Sequence, residues 1–321
     1  MRLLKPPRLC GGDTIGVVAP SYPVAPFQKI FDQGIRNLMD LGFKVKEGKT
    51  AKLEHMGYMA GTDVERAEDI NKMFADKEVK AIVCAIGGQV AIRTLRYLDF
   101  DLIKANPKIF SGMSDITTFH VAFLAKTGLS GLHQSDVIFG FGADQKSLES
   151  RYEIGLFLKI TENAEPLGLL PKFTAWEVWR EGEAEARLFG GNIPSLQTLL
   201  STAYFPKIDE QVILFWECMA KPLDKIDQDL TQFREVGLFE KTNGMLIGKI
   251  RSAEPDQPGM IKDMTKEVKG VILDIAEEFD FPIIANMDFG HYTPNLPLPL
   301  GLRVNMNTEG ARVRIDESYV N

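Results

Sequence analysis

Cysteine is scarce in this sequence. Its 321 residues include three, Cys10, Cys84 and Cys218, which lie far apart. An odd number at these separations forms neither a CxxC pair nor a Cys/His pattern with metal-ligand spacing. We therefore predict no disulfide framework and no metal site, and unpaired thiols favour a reducing compartment.

Long apolar runs and basic clusters are lacking as well. No run reaches the roughly 20 apolar residues of a membrane-spanning helix, and residues 1–20 lack the apolar core of a signal peptide. The net charge is −7 and is spread along the chain, without the basic stripe typical of nucleic-acid-binding proteins. We expect a cytoplasmic protein whose partners include neither a membrane nor a nucleic acid polymer.

Apolar strands and amphipathic helices alternate through the first half of the chain. Alternation at this spacing predicts a parallel sheet covered by helices, which is a Rossmann-like α/β fold. The predicted strands include 13–21, 80–88 and 108–114, and the predicted helices include 26–43, 63–79 and 115–128.

The composition changes beyond about residue 145. A stretch rich in proline, glycine and charge leads into short apolar strands and one clear helix at 264–279. The length suits two compact domains. We predict an N-terminal α/β domain over residues 1–165 and a smaller, mixed α/β C-terminal domain over residues 166–321.

Three corners rich in small residues follow predicted strands of the first domain. They are Pro20-Ser21, Gly87-Gly88 and the stretch 112–114. Ligands of parallel sheets bind beyond the carboxyl ends of the strands, so the three corners predict one site. Gly87-Gly88 matches no phosphate-binding pattern. We favour the interpretation that this corner allows a close approach of the backbone and provides a backbone N–H for an oxyanion.

The corner at Ser114 lies between a strand and a helix. Such an elbow can expose a serine nucleophile, and the N–H of the next residue, Asp115, can stabilise an oxyanion. The sequence GMSDI lacks the second glycine of the usual G-x-S-x-G elbow. The alternative is that Ser114 or Asp115 simply caps the following helix.

A serine nucleophile needs a base, usually histidine, and a carboxylate that orients the base. His291 follows an apolar strand and precedes a proline-rich loop, and Glu217 ends the apolar run QVILFWE. Both residues could equally be ordinary surface positions at strand ends. Of the other histidines, His120 is expected in mid-helix, and His55 and His133 in loops with no obvious partner.

Several segments occur in a characteristic order. They are KPPRLCGGDTIGVVAPS, GYMAGTDVERAEDI, AIGGQVAIRTLRYLDFDLI, KIFSGMSDIT, GEAEARLFGGNIPSLQTLLST, ILFWE and FGHYTPNLPLPLG. Together they resemble the motifs of the LD-carboxypeptidase family of serine peptidases, which includes the microcin C immunity proteins. The resemblance covers nearly the whole chain.

This resemblance implies a catalytic triad without metal or cofactor. Ser114 would be the nucleophile, His291 the general base and then the general acid, and Glu217 the carboxylate that orients it. The oxyanion donors would be the backbone N–H groups of Gly88 and Asp115. The site would lie between the two domains, and the resemblance also suggests a homodimer.

The sequence departs from the family pattern at a few positions. Met113 replaces an aromatic residue before the serine, and Ala186 stands where the family often has glycine. The glycine pair is flanked by Ile86 and Gln89 instead of arginine and an aromatic residue, as in the microcin immunity branch. These departures leave the acyl chemistry unchanged and leave the substrate open.

Three residues are candidates for substrate binding. Gly87 would lie beside the substrate at the glycine corner. Trp176 and Trp179 occupy the region where the immunity branch carries a loop that can stack on a nucleobase. The alternative is that both tryptophans pack the crossing between the domains.

We expect a serine peptidase that cleaves an L,D-peptide bond near a free carboxylate in murein tetrapeptides. One alternative keeps the triad and hydrolyses the amide of a peptidyl or aminoacyl nucleotide. A second alternative is a non-catalytic protein that binds a small molecule. A nucleotide substrate should depend on the tryptophans, and a muropeptide should depend on a basic residue that binds its carboxylate.

Overall fold

The protein folds as an α/β structure, as predicted, with one mostly parallel sheet and a second, mixed sheet among the described residues. The computed structural model describes residues 3–134, 136–219, 221–253, 261–292 and 294–321. None of the helices within these ranges is long and apolar enough to cross a bilayer.

The first sheet contains six strands. In chain order they are β1 (Thr14–Val18), β2 (Lys44–Glu47), β3 (Val79–Cys84), β4 (Ile109–Gly112), β5 (Leu132–His133) and β14 (Leu298–Pro299). Their order across the sheet is β14-β5-β4-β3-β1-β2, and all neighbouring pairs except β14·β5 are parallel. The central strands β1 and β3 are buried almost throughout, as expected for a sheet with both faces covered. The edge strand β14 comes from the second half of the chain.

The second sheet contains eight strands. They are β6 (Gly168–Leu169), β7 (Glu177–Arg180), β8 (Glu183–Asn192), β9 (Val212–Glu217), β10 (Thr242–Gly248), β13 (Ile283–Met287), β15 (Arg303–Asn307) and β16 (Arg312–Ile315). The sheet order is β6-β16-β15-β8-β9-β10-β13-β7. The four strands β8, β9, β10 and β13 are parallel, and antiparallel strands flank them. A separate hairpin pairs β11 (Arg251–Ala253) with β12 (Ile261–Asp263).

Helices cover both sheets. They are α1 (Gln28–Asp40), α2 (Asp63–Ala75), α3 (Phe100–Ala105), α4 (Thr117–Thr127), α5 (Leu148–Glu162), α6 (Ile193–Leu199), α7 (Leu223–Glu235) and α8 (Thr265–Ile275). A capping box starts α2, since the Thr62 side chain accepts from the N–H of Glu65 and the Glu65 carboxylate accepts from the N–H of Thr62. Short 3-10 turns span residues 25–27, 49–52, 91–97, 114–116 and 239–241, and a π-helical turn spans 137–141.

The carboxyl ends of the parallel strands β4 and β8, one from each sheet, face each other. Thr117, at the start of α4, accepts a hydrogen bond from the N–H of Asn192 at 3.0 Å, and Asn192 ends β8 of the second sheet. The Ser195 hydroxyl donates to the carbonyl of Ser114 at 3.4 Å. A Cβ on Gly191 would lie 2.4 Å from the Thr117 side chain, so glycine permits this close approach. The predicted strand-end site of the first sheet therefore lies against the second sheet.

Candidate active site

Ser114 sits on a strained elbow directly after β4. Its φ is +61°, a left-handed conformation that is uncommon for a residue with a side chain. A Cβ on Gly87 would lie 2.7 Å from the Cβ and 3.1 Å from the Oγ of Ser114, so the glycine corner packs directly against the hydroxyl.

The capping alternative for this corner is wrong. Helix α4 begins at Thr117, two residues later than expected from Asp115 as its first residue, and its N-cap position is the apolar Ile116. The residues 114–116 form a 3-10 turn instead. Neither Ser114 nor Asp115 is therefore the N-cap of α4.

The Asp115 carboxylate ties the elbow to the corners after β1 and β3. Its Oδ2 accepts hydrogen bonds from the Ser21 hydroxyl at 2.6 Å and from the N–H of Ala91 at 2.8 Å. The Ser21 hydroxyl in turn accepts from the N–H of Val90 at 3.2 Å. Burial raises the pKa of Asp115, and these hydrogen bonds oppose that rise. The three predicted corners are thus joined through one buried carboxylate.

The glycine pair is shaped by this close packing. Gly88 has φ +152°, and a Cβ there would lie 2.3 Å from the Ser21 Oγ. The carbonyl of Gly87 accepts from the N–H of Tyr22 at 2.9 Å. Any side chain at Gly88 would therefore displace the glycine corner from the Ser21 corner after β1.

Glu217 and His291 meet at the end of the second sheet. Oε2 of Glu217 lies 2.5 Å from Nδ1 of His291, and Oε1 accepts from the Asn192 amide at 2.9 Å. Glu217 ends β9 and is completely buried, whereas the His291 side chain retains 15% exposure. Nδ1 is thus committed to the carboxylate, which leaves Nε2 of the imidazole for chemistry.

The opposite charges of Glu217 and His291 stabilise each other. Burial alone would raise the pKa of Glu217, but the charge of His291 and hydrogen bonds from His291 and Asn192 outweigh it, and the pKa is lowered. Burial alone would lower the pKa of His291, but Glu217 and Asp136 outweigh it, and the pKa is raised. The pair favours a charged carboxylate beside a histidine with increased basicity.

His133 is a component that the sequence interpretation missed. It was expected in a loop without a partner, but it is fully buried on β5, and its Nε2 lies 4.0 Å from Oε1 of Glu217. The signal was present, because β5 is a further parallel strand and His133 is at its carboxyl end. His120 lies in mid-helix as expected and is also buried, with Nε2 2.9 Å from the carbonyl oxygen of Gly112.

Trp176 and Trp179 are mostly covered by protein. Their exposed fractions are 8% and 7%. The Trp176 indole donates to Asp288 at 2.9 Å, and the Trp179 indole donates to Glu177 at 3.0 Å. Among the described residues, neither indole forms a hydrogen bond with Ser114 or His291.

A serine on a strand-to-helix elbow and a histidine bound to a carboxylate are typical components of serine hydrolases. In the described parts of the chain, no group of three metal-binding side chains has the arrangement of a metal site. The fold and the chemistry of these side chains indicate the class of serine hydrolases with an α/β scaffold.

Comparisons with known proteins narrow this class to a family. Residues 15–134 match the model of the LD-carboxypeptidase N-terminal domain, and residues 185–306 match that of the C-terminal domain. The chain belongs to the LD-carboxypeptidase family, as its motifs predicted, and it is an enzyme of the serine carboxypeptidase type.

Named relatives of the chain fall into two groups. The chain is 34% identical to a probable murein peptide carboxypeptidase of Bacillus subtilis, over 95% of this chain and 92% of that protein. It is 28% identical to the microcin C7 self-immunity protein MccF of Escherichia coli, over 97% and 95%. The solved structure of MccF in complex with aspartyl sulfamoyl adenosine superposes with a TM-score of 0.89 at 25% identity, over 99% of this chain and 100% of that chain.

Proposed function

We propose that Ser114, His291 and Glu217 are the catalytic triad of a peptidase that cleaves an L,D-peptide bond near a free carboxylate in murein tetrapeptides. The observation that carries the proposal is the 2.5 Å contact between Glu217 and His291, at the sheet edge that faces the Ser114 elbow. A carboxylate at Nδ1 fixes the tautomer that leaves Nε2 able to accept the serine proton.

The reaction is acyl transfer in two halves. Ser114 Oγ attacks the carbonyl carbon of the scissile amide while its proton passes to Nε2 of His291. The oxyanion then accepts hydrogen bonds from the backbone N–H groups of Gly88 and Asp115. When the C–N bond breaks, His291 returns the proton to the leaving amine. Water then gives a proton to His291 as it attacks the acyl-enzyme, and His291 returns this proton to Ser114 Oγ as the acyl–oxygen bond breaks and the carboxylic acid leaves.

Asp115 supports this reaction in two ways. Its N–H is one proposed oxyanion donor, and its side chain binds Ser21 and the N–H of Ala91, next to the loop that carries the other donor, Gly88. Donors fixed before the reaction cost no reorganisation when charge develops. Burial of this carboxylate therefore serves the geometry of the oxyanion site.

A muropeptide substrate is supported by the Bacillus subtilis relative, which is named for murein peptides and shares 34% identity with the chain. The resemblance further suggests a cytoplasmic homodimer, and both the location and the dimer stay predictions. Sedimentation analysis of the purified chain tests the dimer.

An aminoacyl-nucleotide amide is the second candidate substrate. It is supported by the likeness to MccF, whose structure was solved with aspartyl sulfamoyl adenosine, and by Ile86 before the glycine pair. In this role Trp176 or Trp179 would stack on the base. Their burial means that a ring would have to leave its packing to expose a face.

The test measures turnover of both substrates by the wild type and by S114A. The control is S201A, because Ser201 is an exposed serine with a similar φ of +63°. Release of D-alanine from an L,D-tetrapeptide by wild type and S201A, and its loss in S114A, would support the muropeptide proposal. Serine-dependent release of aspartate from aspartyl sulfamoyl adenosine would favour the second candidate. Binding of either compound that survives loss of Ser114 and His291, without any turnover, would favour a binding protein.

A further inference from the structure

Arg251 lies at the same sheet edge as the proposed triad. Beyond Glu217 and Gly248, the segments that follow β9 and β10 continue side by side, and a parallel bridge joins Met219 to Arg251. The next strand in the sheet, β13, leads into His291. Arg251 therefore comes after β10, the strand between β9 and β13. Glu217 ends β9, and His291 comes after β13.

The Arg251 side chain is held against the residue after the catalytic histidine. Its Cζ lies 4.9 Å from the centroid of the Tyr292 ring. The Tyr292 hydroxyl also donates to the backbone carbonyl of Arg251 at 3.3 Å. A guanidinium that stacks on an aromatic ring keeps the N–H groups at its edge free for a bidentate acceptor.

Two other cations of this region are already paired. Lys249 Nζ lies 2.9 Å from the buried carboxylate of Asp288, and Lys221 forms an ion pair with Asp229. Neither ammonium is available to a ligand without breaking a largely buried ion pair.

Arg251 differs from these lysines. Within the described ranges of the chain, no carboxylate lies within 4 Å of its guanidinium. The opposite residue on β12 is Asp263, whose Oδ1 accepts from the backbone N–H and the hydroxyl of Thr265. Arg251 is also partly exposed to solvent. The Arg251 charge helps to lower the pKa of the Asp263 carboxyl, but among the described residues it forms no ion pair and remains at the edge of the site.

We propose that Arg251 binds the free carboxylate of the residue that hydrolysis releases. This inference rests on the proposed function, because it assigns the carboxylate-binding group for that substrate. A planar guanidinium matches a carboxylate through two parallel hydrogen bonds. Arg251 would thereby restrict the enzyme to peptides with a free terminal carboxylate and place the scissile bond near Ser114.

The experiment compares two tetrapeptides that differ at one group. One ends in D-alanine with a free carboxylate, and the other ends in D-alanine carboxamide. We expect the R251Q variant to raise KM for the carboxylate peptide by about tenfold, the scale of one charge-assisted hydrogen-bonded contact, with kcat within about twofold. KM for the carboxamide should not change. R251K should recover part of the affinity, because an ammonium makes a single contact.

The matched control is K225Q, which removes the same charge from an exposed lysine of α7 that contacts Gln228. Equal KM values for the wild type and R251Q with the carboxylate peptide would overturn the inference. The melting temperatures of the variants show whether a loss of affinity comes from unfolding. If R251Q is unfolded, R251K provides the test instead.

Equilibrium binding separates this inference from the proposed function. Calorimetric titration of S114A and of the S114A/R251Q double variant with both peptides needs no turnover. Binding that favours the carboxylate peptide in S114A and loses this preference in the double variant supports Arg251, even if the wild type cleaves neither peptide. Turnover of the carboxylate peptide with no binding difference between the variants would reject Arg251 and leave the triad standing.

Discussion

Nε2 of His133 lies 4.0 Å from Oε1 of Glu217, and both side chains are completely buried. The separation exceeds a hydrogen bond, so the contact is electrostatic. Burial lowers the pKa of His133 to about 4, whereas Glu217 holds the pKa of His291 above its ordinary value. Glu217 therefore lies between a neutral imidazole and a basic one, and His291 rather than His133 is suited to the proton transfer proposed for the serine.

The first prediction concerns His133. We expect H133F to lower kcat about fivefold with little change in KM, because the buried carboxylate loses a nearby dipole worth about 1 kcal/mol. A phenyl ring can keep the edge-on packing against Phe215, whose centroid is 5.4 Å away. Steady-state kinetics on the cleaved substrate measure the effect, and H133Q, which retains an N–H, should recover part of it. Full kcat in H133F would reduce His133 to a space-filling role.

The second prediction concerns the pH profile. The role proposed for His291 as general base requires its neutral form, so kcat/KM should fall as the pH drops through its raised pKa, above the ordinary value near 6.5. In E217Q the charge that raises this pKa is gone, and the acid limb should move to lower pH. The maximal rate should also fall by a factor on the order of 10³–10⁴, the scale of removing a triad carboxylate.

Rates measured from pH 5 to 9 for the wild type and E217Q test this second prediction. An acid limb that stays in place while the rate falls would show that another group controls it. Asp136 is the first group to examine, because burial raises its pKa to about 7 and its charge acts on His291.

The elements that position the site could be read from the sequence because strands and glycines have local signatures. The elbow, the glycine pair, Glu217 and His291 all stand at ends of apolar runs, and the strand-end rule and the family motifs selected them. The partners of these residues could not be read in this way. Asp115 reaches Ser21 and Ala91, which are 94 and 24 residues away, and such distances are set only by how the sheets pack.

Other differences also arise from packing. The helix expected at 63–79 ends at Ala75, because residues 79–84 form the central strand β3. Trp176 shows that residue type alone does not distinguish a substrate-binding residue from a core residue. An aromatic ring is suited to both base stacking and a core, and the hydrogen bond of its indole to the buried Asp288 depends on the fold.

The third prediction concerns the glycine corner. We expect G87A to lower kcat strongly, because its methyl group would lie 2.7 Å from the Cβ and 3.1 Å from the Oγ of Ser114. Contacts this short force the nucleophile or the corner to move, and a small misplacement costs about a hundredfold. Turnover and the melting temperature should be measured together.

The control for G87A is G155A, since the space around Gly155 in α5 is open. That substitution should leave turnover unchanged and stabilise the fold by up to about 1 kcal/mol, because alanine favours a helix more than glycine does. A G87A enzyme with normal kcat would mean that the corner does not press on the nucleophile during the reaction.

The fourth prediction concerns stability and His120. Burial lowers its pKa to about 3 in the folded protein, against about 6.5 in the unfolded chain. As the pH falls, His120 therefore binds a proton in the unfolded chain before it does so in the folded protein. The stability that neutral His120 contributes is present above pH 6.5 and is lost as the pH falls toward 3. Relative to H120F, the wild type should lose about 2 kcal/mol of unfolding free energy between pH 7 and pH 5.

Asp136, whose pKa is raised, acts in the opposite direction over part of this range, so the difference between the two proteins is the quantity to measure. Urea unfolding at both pH values gives it, and a difference that is independent of pH would mean that His120 becomes protonated within the folded protein.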